Sequence, residues 1–203
     1  MVAGKIHFVA LVICLSVTGM TRPGVAAEGL PKLTGVELTD LVGHKHTFGG
    51  RSEGQLTVLV FLGTECPVSN GYAPSLNRLH AAYTASGVVI LGVHSDPDVD
   101  AAVARTHAKD YELQFPLVLD HDQRLAQACG VHRVPTAVLI SSDGRLLYRG
   151  RIDNRYEPNG VRRPQATVFD LRNAIESALA GQQPNPSTTE PFGCPLPPLR
   201  QPK

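Results

Sequence analysis

The chain has 203 residues, of which 42% are hydrophobic and 18% charged, and its formal net charge is +1. This composition is typical of an ordinary globular protein with about one domain's worth of chain. Lysine and arginine form no basic stripe, which argues against a function that depends on phosphate contacts with nucleic acid. No internal repeat is visible in the sequence.

The N-terminal segment differs from the rest. Lys5 precedes an apolar run, FVALVICLSVTGM, and Val25-Ala26-Ala27 supplies small residues for a cleavage site. The run is shorter than the roughly 20 residues of a membrane-spanning helix. We expect residues 1–27 to be a signal peptide, with a retained membrane anchor as the alternative. The mature protein is then expected to be exported to the periplasm or the extracellular space, with net charge −1 after loss of Lys5 and Arg22.

Export also bears on the cysteines. Loss of Cys14 would leave Cys66, Cys129 and Cys194 in a compartment where disulfides persist. Because three is an odd number, at least one thiol is free or pairs outside the chain.

After a linker at residues 28–34, we place one domain at residues 35–181. In the segment GVELTDLVGHKHTFGG, apolar and polar residues alternate on both sides of Gly43, which predicts an N-terminal hairpin. Apolar runs at 56–63 and 88–93 predict buried strands. Between them, apolar residues at helical spacing predict a helix that ends at Gly87; these are Leu76, Leu79 and Tyr83. Strand, helix and strand at this spacing predict a right-handed parallel crossover.

The next segments predict an inserted helix and strand. The helix is expected at about residues 99–111, started by Asp96-Pro97-Asp98, and the strand at 117–119. A short helix is expected at about 123–129. The stretch TAVLISSDGRLLYRG then predicts two antiparallel strands joined by a tight turn.

A last helix ends at Gly181 and is marked by apolar residues at helical spacing, namely Val168, Leu171, Ile175 and Leu179. Residues 182–203 form a proline-rich tail, which is expected to be extended and contains Cys194. The predicted fold is α/β, with a central mixed sheet covered by helices on both faces.

Cys66 is the main candidate for chemistry. It follows a buried strand and precedes a helix, where unpaired N–H groups and the helix dipole stabilise a thiolate, the nucleophilic form. Pro67 suits the first helical turn. Ser69 stands where a dithiol motif has its second cysteine, and it can donate a hydrogen bond but cannot form a disulfide. Glu65 disfavours a second negative charge, so the acidity of Cys66 stays open, and a buried structural cysteine is the alternative.

Three stretches together resemble the thioredoxin-fold redoxins. They are TECPVS at 64–69, GVHRVPT at 130–136 and SSDGRLLYRG at 141–150. The nearest resemblance is to the peroxiredoxin-like branch of the AhpC/TSA-type redoxins, whose members carry a single CP motif, a GRID segment and a C-terminal glycine-cysteine. In this chain these are Cys66-Pro67, residues 150–153 and Gly193-Cys194.

The resemblance implies a thioredoxin-like fold with a cis Pro135 beside Cys66 and with the Val134 backbone free to pair with an extended thiol substrate. Two residues depart from the family patterns. Ser69 removes the neighbouring thiol that would release a mixed disulfide. Thr64 stands two residues before Cys66, as in thioredoxins, whereas a typical peroxidase motif has its threonine three residues before the cysteine.

A resolving thiol must then come from elsewhere, and Cys194 is the candidate. Closing the long loop to Cys66 costs only about 0.6 kcal/mol more than closing one half as long. A permanent disulfide between the two, or a surface thiol without a role, are the alternatives. Cys129 is expected to be a packed core thiol.

Seven histidines lie outside the expected signal peptide, so metal binding has to be considered; they are His44, His46, His80, His94, His107, His121 and His132. Copper chaperones of the same fold use two cysteines in one loop, whereas this loop has one, and no pair has the spacing of a closed zinc site. We predict no metal and no cofactor. His44 and His46 are expected to be solvated.

Charged residues near the two motifs are further candidates. His132 and Arg133 are expected to face the cysteine, where a cation would lower its pKa. Asp153 and Arg155 are expected at the mouth of the site, with a merely solvated loop as the alternative.

The sequence therefore predicts an exported thiol-dependent oxidoreductase in which Cys66 is the nucleophile and Cys194 or an external thiol completes the cycle. The residues expected to support them are Thr64, Pro67, Ser69, Arg133, Val134 and Pro135. The expected partners are a protein thiol or disulfide, or a peroxide, and an external thiol reductant. No nucleic-acid partner is expected, and membrane contact is expected only if the N-terminal segment is retained. An antioxidant thiol peroxidase and a non-catalytic binding or metal-handling module remain the alternatives.

Overall fold

The computed structural model describes Met1 and residues 30–33, 35–49, 54–157 and 160–199. The expected signal peptide, apart from Met1, and part of the expected linker lie outside these ranges. None of the helices in the described part of the chain is both long and apolar enough to cross a membrane.

Within these ranges the chain forms nine strands and four helices. The strands are β1 (Glu37–Thr39), β2 (Lys45–Thr47), β3 (Leu56–Phe61), β4 (Val88–His94), β5 (Leu117–Leu119), β6 (Arg133–Val134), β7 (Thr136–Ile140), β8 (Leu146–Gly150) and β9 (Cys194–Pro195). The helices are α1 (Pro67–Tyr83), α2 (Ala101–Asp110), α3 (Arg124–Ala128) and α4 (Asp170–Leu179), and a 3₁₀ turn at Thr84–Ser86 follows α1.

Five strands form the main sheet, in the order β5-β4-β3-β7-β8. β4 runs parallel to β3 and to β5, whereas β7 runs antiparallel to β3 and to β8. Every residue of β3 and of β7 is buried. One core lies between the sheet and the helices α1 and α4, and the other lies on the side of α3 and the β1–β2 hairpin. The predicted mixed α/β sheet, covered on both faces, is therefore confirmed.

The start of α2 differs from the prediction. The helix is capped by Asp100 instead of the expected Asp96-Pro97-Asp98 segment, since one Asp100 carboxylate oxygen accepts hydrogen bonds from the N–H groups of Ala102 (2.8 Å) and Val103 (2.9 Å). A second difference concerns Val168, which precedes α4 and is exposed, so it is not part of that helix's apolar face.

The proline-rich tail is joined to the body of the domain. β9 pairs with β6 in a separate two-stranded sheet. Closer to α4, the Arg149 N–H donates to the Ser187 carbonyl (3.0 Å), and the Thr189 N–H donates to the Arg149 carbonyl (3.0 Å). The tail is thus extended, as expected, and it is held along two edges of the fold.

The cap at Asp100 can be tested by mutation. We expect Asp100→Ala to lower the free energy of unfolding by about 1 kcal/mol, because two amides at the start of α2 lose their acceptor. Asp100→Asn keeps a capping oxygen and should lose much less. Urea unfolding of the three proteins measures the effect, and equal losses in both variants would contradict the assigned cap.

Candidate functional site

Cys66 lies at the junction of β3 and α1. It is the N-cap residue of α1, with extended backbone angles (φ −84°, ψ 111°), and Pro67 is the first helical residue. Its side chain is 4% exposed. The buried Ser69 hydroxyl accepts a hydrogen bond from the Gly63 N–H (3.2 Å), which leaves the hydroxyl proton available for the Cys66 sulfur.

The fold brings Cys194 into contact with Cys66. β9 pairs with β6 so that Cys194 lies opposite Val134. The Cys194 thiol donates to the Cys66 sulfur with the two sulfur atoms 2.6 Å apart, and the Cys66 sulfur also lies 3.5 Å from the Val134 carbonyl oxygen. The Val134–Pro135 peptide bond is cis, as the resemblance implied.

The two thiols in contact differ in acidity. Burial by itself would raise the pKa of Cys66, but the hydrogen bond from Cys194 and interactions with the amide and hydroxyl of Ser69 outweigh it and lower this pKa below its ordinary value. Burial, together with the hydrogen bond to Cys66 and its negative charge, raises the pKa of Cys194 to about 11. The contact therefore favours a thiolate on Cys66 and a protonated thiol on Cys194.

Arg133 lies on the Cys194 side of this pair. Its guanidinium donates to the Gly193 carbonyl (2.6 Å), and its charge lowers the pKa of Cys194, against the stronger effects of burial and of Cys66. His132 is exposed, and its carbonyl accepts from the Leu196 N–H (3.0 Å). Both residues thus contact the tail, and the expectation that they face Cys66 is wrong.

A cavity of about 320 Å³ opens beside Cys66. It is lined by residues 62–66, which include Thr64, by residues 194–198 of the tail, and by Asp96 and Val134. Asp96 was missed by the sequence analysis as a site residue. A signal for it existed, because Asp96 follows β4, whose carboxyl end lies next to that of β3 in a parallel pair, where ligand sites concentrate.

Gln123 was also missed. Its side-chain amide donates to the carbonyls of Ser95 (2.9 Å) and Pro197 (2.8 Å), so it fastens the tail that lines the cavity. No sequence signal pointed to this residue, since it lies near the start of a five-residue helix and meets Pro197 only through the tertiary fold.

Two expectations about charged residues are wrong. Asp153 and Arg155 do not line the cavity beside Cys66; the Asp153 carboxylate accepts from the Tyr72 hydroxyl (2.7 Å), and Arg155 lies over the Tyr72 ring (5.6 Å). Aromatic and hydrogen-bonding contacts with α1 thus hold both residues away from the site. His46 is not solvated, because its ring lies 2.9 Å from the buried Asp40 carboxylate, whereas His44 is exposed.

The remaining described cysteine, Cys129, is fully buried in the core, as expected. Burial, with the charge of Asp120, raises its pKa to about 12. Among the described residues, no three side chains of histidine, cysteine, aspartate or glutamate form a group that could hold a metal ion.

A five-stranded mixed sheet with a cysteine at the carboxyl end of its central strand, facing a cis-proline loop, defines a thioredoxin-like redoxin. The chain belongs to the AhpC/TSA family, whose model matches residues 32–149. It is similar to thiol-disulfide oxidoreductases ResA from Bacillus thuringiensis subsp. konkukian (33% identity over 110 residues, 54% of this chain and 62% of the relative) and from Geobacillus kaustophilus (33% over 110 residues, 54% and 61%). The matched region thus spans less than two-thirds of the length of these relatives.

Solved structures show the same fold. A hypothetical protein from Sinorhizobium meliloti 1021 matches with a TM-score of 0.68 at 22% identity and covers 82% of this chain and 93% of its own. DsbF from MTB matches with a TM-score of 0.51 at 21% identity, covering 71% and 94%. At these identities the likeness concerns the fold alone.

The ionisation of Cys66 should depend on its contact with Cys194. We expect Cys194→Ala to shift the pH midpoint of Cys66 alkylation by iodoacetamide upward, because the thiolate loses a hydrogen-bond donor. Cys194→Ser keeps a hydroxyl donor and should shift the midpoint less.

The midpoint is measured by following the alkylated Cys66 peptide by mass spectrometry across the pH range. Cys129→Ser serves as the control, since Cys129 makes none of the hydrogen bonds that favour the Cys66 thiolate. An unchanged or lowered midpoint in Cys194→Ala would contradict the assigned donor.

Proposed function

We propose that the protein is an exported thiol-disulfide oxidoreductase in which Cys66 is the attacking thiol and Cys194 the resolving thiol. The observation that carries the proposal is the contact of the two sulfur atoms at 2.6 Å. Membership of the AhpC/TSA family and similarity to ResA proteins named as thiol-disulfide oxidoreductases support it. Residues 1–27 would direct export, and the enzyme would act in the periplasm or outside the cell.

The first step uses the unequal protonation of the pair. The Cys66 thiolate attacks one sulfur of a substrate disulfide R–S–S–R′, forms a Cys66–S–S–R bond and displaces R′–S⁻. The Cys194 S–H, which donated to Cys66 before the attack, supplies a proton to the departing thiolate. Because the negative charge on Cys66 is lost when the mixed disulfide forms, one of the causes that raise the pKa of Cys194 disappears at the moment when Cys194 must ionise.

The second step closes the internal disulfide. The Cys194 thiolate attacks the Cys66 sulfur, forms the Cys66–Cys194 bond and releases R–S⁻, which takes its proton from water. Two electrons have then passed from the protein dithiol to the substrate. An external thiol reductant restores both cysteines. Ser69 remains unmodified throughout and stabilises the Cys66 thiolate between turnovers.

Peroxide is a second candidate oxidant, and the same contact favours it. The Cys66 thiolate would attack one oxygen of a peroxide, break the O–O bond and become a sulfenic acid as hydroxide or an alkoxide leaves; condensation with the Cys194 thiol would then release water and form the same disulfide. Faster oxidation of the reduced protein by hydrogen peroxide than by disulfides would assign the peroxidase activity instead.

The roles of the cysteines can be separated by substitution. We expect Cys66→Ser to abolish disulfide reduction, because no other described thiol has its pKa lowered. Cys194→Ser should stop after the first step and accumulate a mixed disulfide on Cys66. Intact-mass spectrometry after reaction with a disulfide substrate detects both states.

Cys129→Ser is the matched control, and it should turn over at the wild-type rate because Cys129 is not among the groups that shift the pKa of either cysteine of the pair. Normal turnover by Cys66→Ser would rule out the proposed nucleophile. Normal turnover by Cys194→Ser, without a trapped adduct, would show that an external thiol resolves the intermediate. A Cys66 that reacts with neither disulfide nor peroxide would favour a non-catalytic binding module.

A further inference from the structure

The backbone edge that an extended substrate would use is already occupied. Val134 lies opposite Cys194, and Arg133 lies opposite Pro195, in an antiparallel pair. Each residue has one backbone donor and one acceptor, so a second strand cannot pair there while the tail is in place. The expectation that the Val134 backbone is free for an extended thiol substrate is therefore wrong for this arrangement of the chain.

The tail is fitted closely to this edge. A Cβ atom added to Gly193 would lie 2.0 Å from the Val134 carbonyl oxygen, so glycine permits the approach. The Arg133 guanidinium holds the Gly193 carbonyl (2.6 Å), and the Gln123 amide holds the Pro197 carbonyl (2.8 Å). These contacts fix the tail on both sides of Cys194, so an incoming polypeptide would have to displace it.

The described structure leaves another approach to Cys66, through the cavity between residues 62–66 and the tail. Its volume of about 320 Å³ lies near the lower end of the roughly 300–1,000 Å³ typical of small-molecule sites. A short disulfide compound fits such a space, whereas a folded or extended polypeptide does not. Access to the nucleophile is thus limited by size.

The charge of the cavity lining also selects among substrates. Among the described residues, the charged side chains that line the cavity are Glu65 and Asp96, and both are acidic. Arg133 of β6 donates to the Gly193 carbonyl and is not among the residues that line this cavity. An anionic substrate would therefore meet two carboxylates and the Cys66 thiolate, whereas a cationic one is attracted by all three.

We propose that, while the tail is docked, the substrate of Cys66 is an uncharged or cationic low-molecular-weight disulfide and not a disulfide carried by an extended polypeptide. This rests on the function proposed above and narrows its substrate class. The chemistry is the same pair of exchanges, in which R–S–S–R gains two electrons and leaves as two R–SH molecules while the Cys66–Cys194 disulfide forms.

The test compares three disulfides with the reduced full-length protein, in excess and under identical conditions. They are cystamine, a dication; dithiodiglycolate, a dianion of similar length; and the disulfide dimer of the peptide PFGCPLP, which carries the tail's own sequence. Acid quenching and mass spectrometry give the rate at which the internal disulfide forms. We expect cystamine to react faster than dithiodiglycolate by a factor on the order of ten at low ionic strength, and less in high salt.

The acidic residues are tested with isosteric variants. Glu65→Gln and Asp96→Asn should each reduce the preference for cystamine over dithiodiglycolate by a factor of about two to five. Glu112→Gln, at an exposed position that does not line the cavity, is the matched control and should leave the preference unchanged. A preference that is absent in the wild type, or unaffected by both variants, would overturn the selection by charge.

Tail docking is tested with Gly193→Ala, which places a methyl group against the Val134 carbonyl and should move the tail off the edge. We expect the rate of Cys66 mixed-disulfide formation with the peptide to rise several-fold relative to the rate with cystamine, because the loss of the Cys194 contact changes the ionisation of Cys66 equally for both substrates. Gln123→Ala, which releases Pro197, should act in the same direction and guards against a folding defect in the first variant.

The outcomes separate the two proposals. If the peptide disulfide oxidises the wild-type protein as fast as cystamine does, the substrate class proposed here is overturned and the oxidoreductase function stands. If none of the three disulfides oxidises Cys66, the oxidoreductase function itself fails.

Discussion

The pairing of two short strands, Arg133–Val134 with Cys194–Pro195, is the interaction on which the site depends. Cys194, the proposed resolving thiol, is separated from Cys66 by 128 residues of chain, and this pairing puts the two sulfur atoms in contact. The strand pair is short, but side-chain contacts from Arg133 and Gln123 to tail carbonyls reinforce it. Without the pairing, Cys66 would have no second thiol beside it, because the motif has Ser69 where a dithiol protein has its second cysteine.

The contact between Cys66 and the tail cysteine has a consequence for the protonation of both thiols. In the contact, Cys66 is the better acid because Cys194 and Ser69 stabilise its thiolate, and Cys194 is the poorer acid because the same thiolate opposes its ionisation. The contact thus favours the negative charge on Cys66 and the proton on Cys194. In the proposed mechanism, loss of the charge on Cys66 would remove that opposition, so ionisation of Cys194 would follow the attack by Cys66.

The docked tail also restricts access of a substrate to Cys66. The backbone of Val134, beside the cis proline, is used by the chain itself, and the glycine at position 193 allows the approach to be close. What remains open is a cavity with Glu65 and Asp96 at its lining. In the proposed function, docking of the tail and docking of an extended substrate would therefore use the same strand edge.

The sequence by itself determined the sheet and the place of Cys66, because both depend on local pattern. β3 and β7 are each apolar except for one threonine and are buried throughout, and a cysteine between a buried strand and a proline-initiated helix lies at the helix N-terminus. Only the tertiary structure decided that Cys194 meets Cys66, and that Asp153 and His46 bind Tyr72 and Asp40 elsewhere. These contacts join residues whose spacing along the chain does not predict that they meet. Packing, burial and charge select the partners once the sheet has formed.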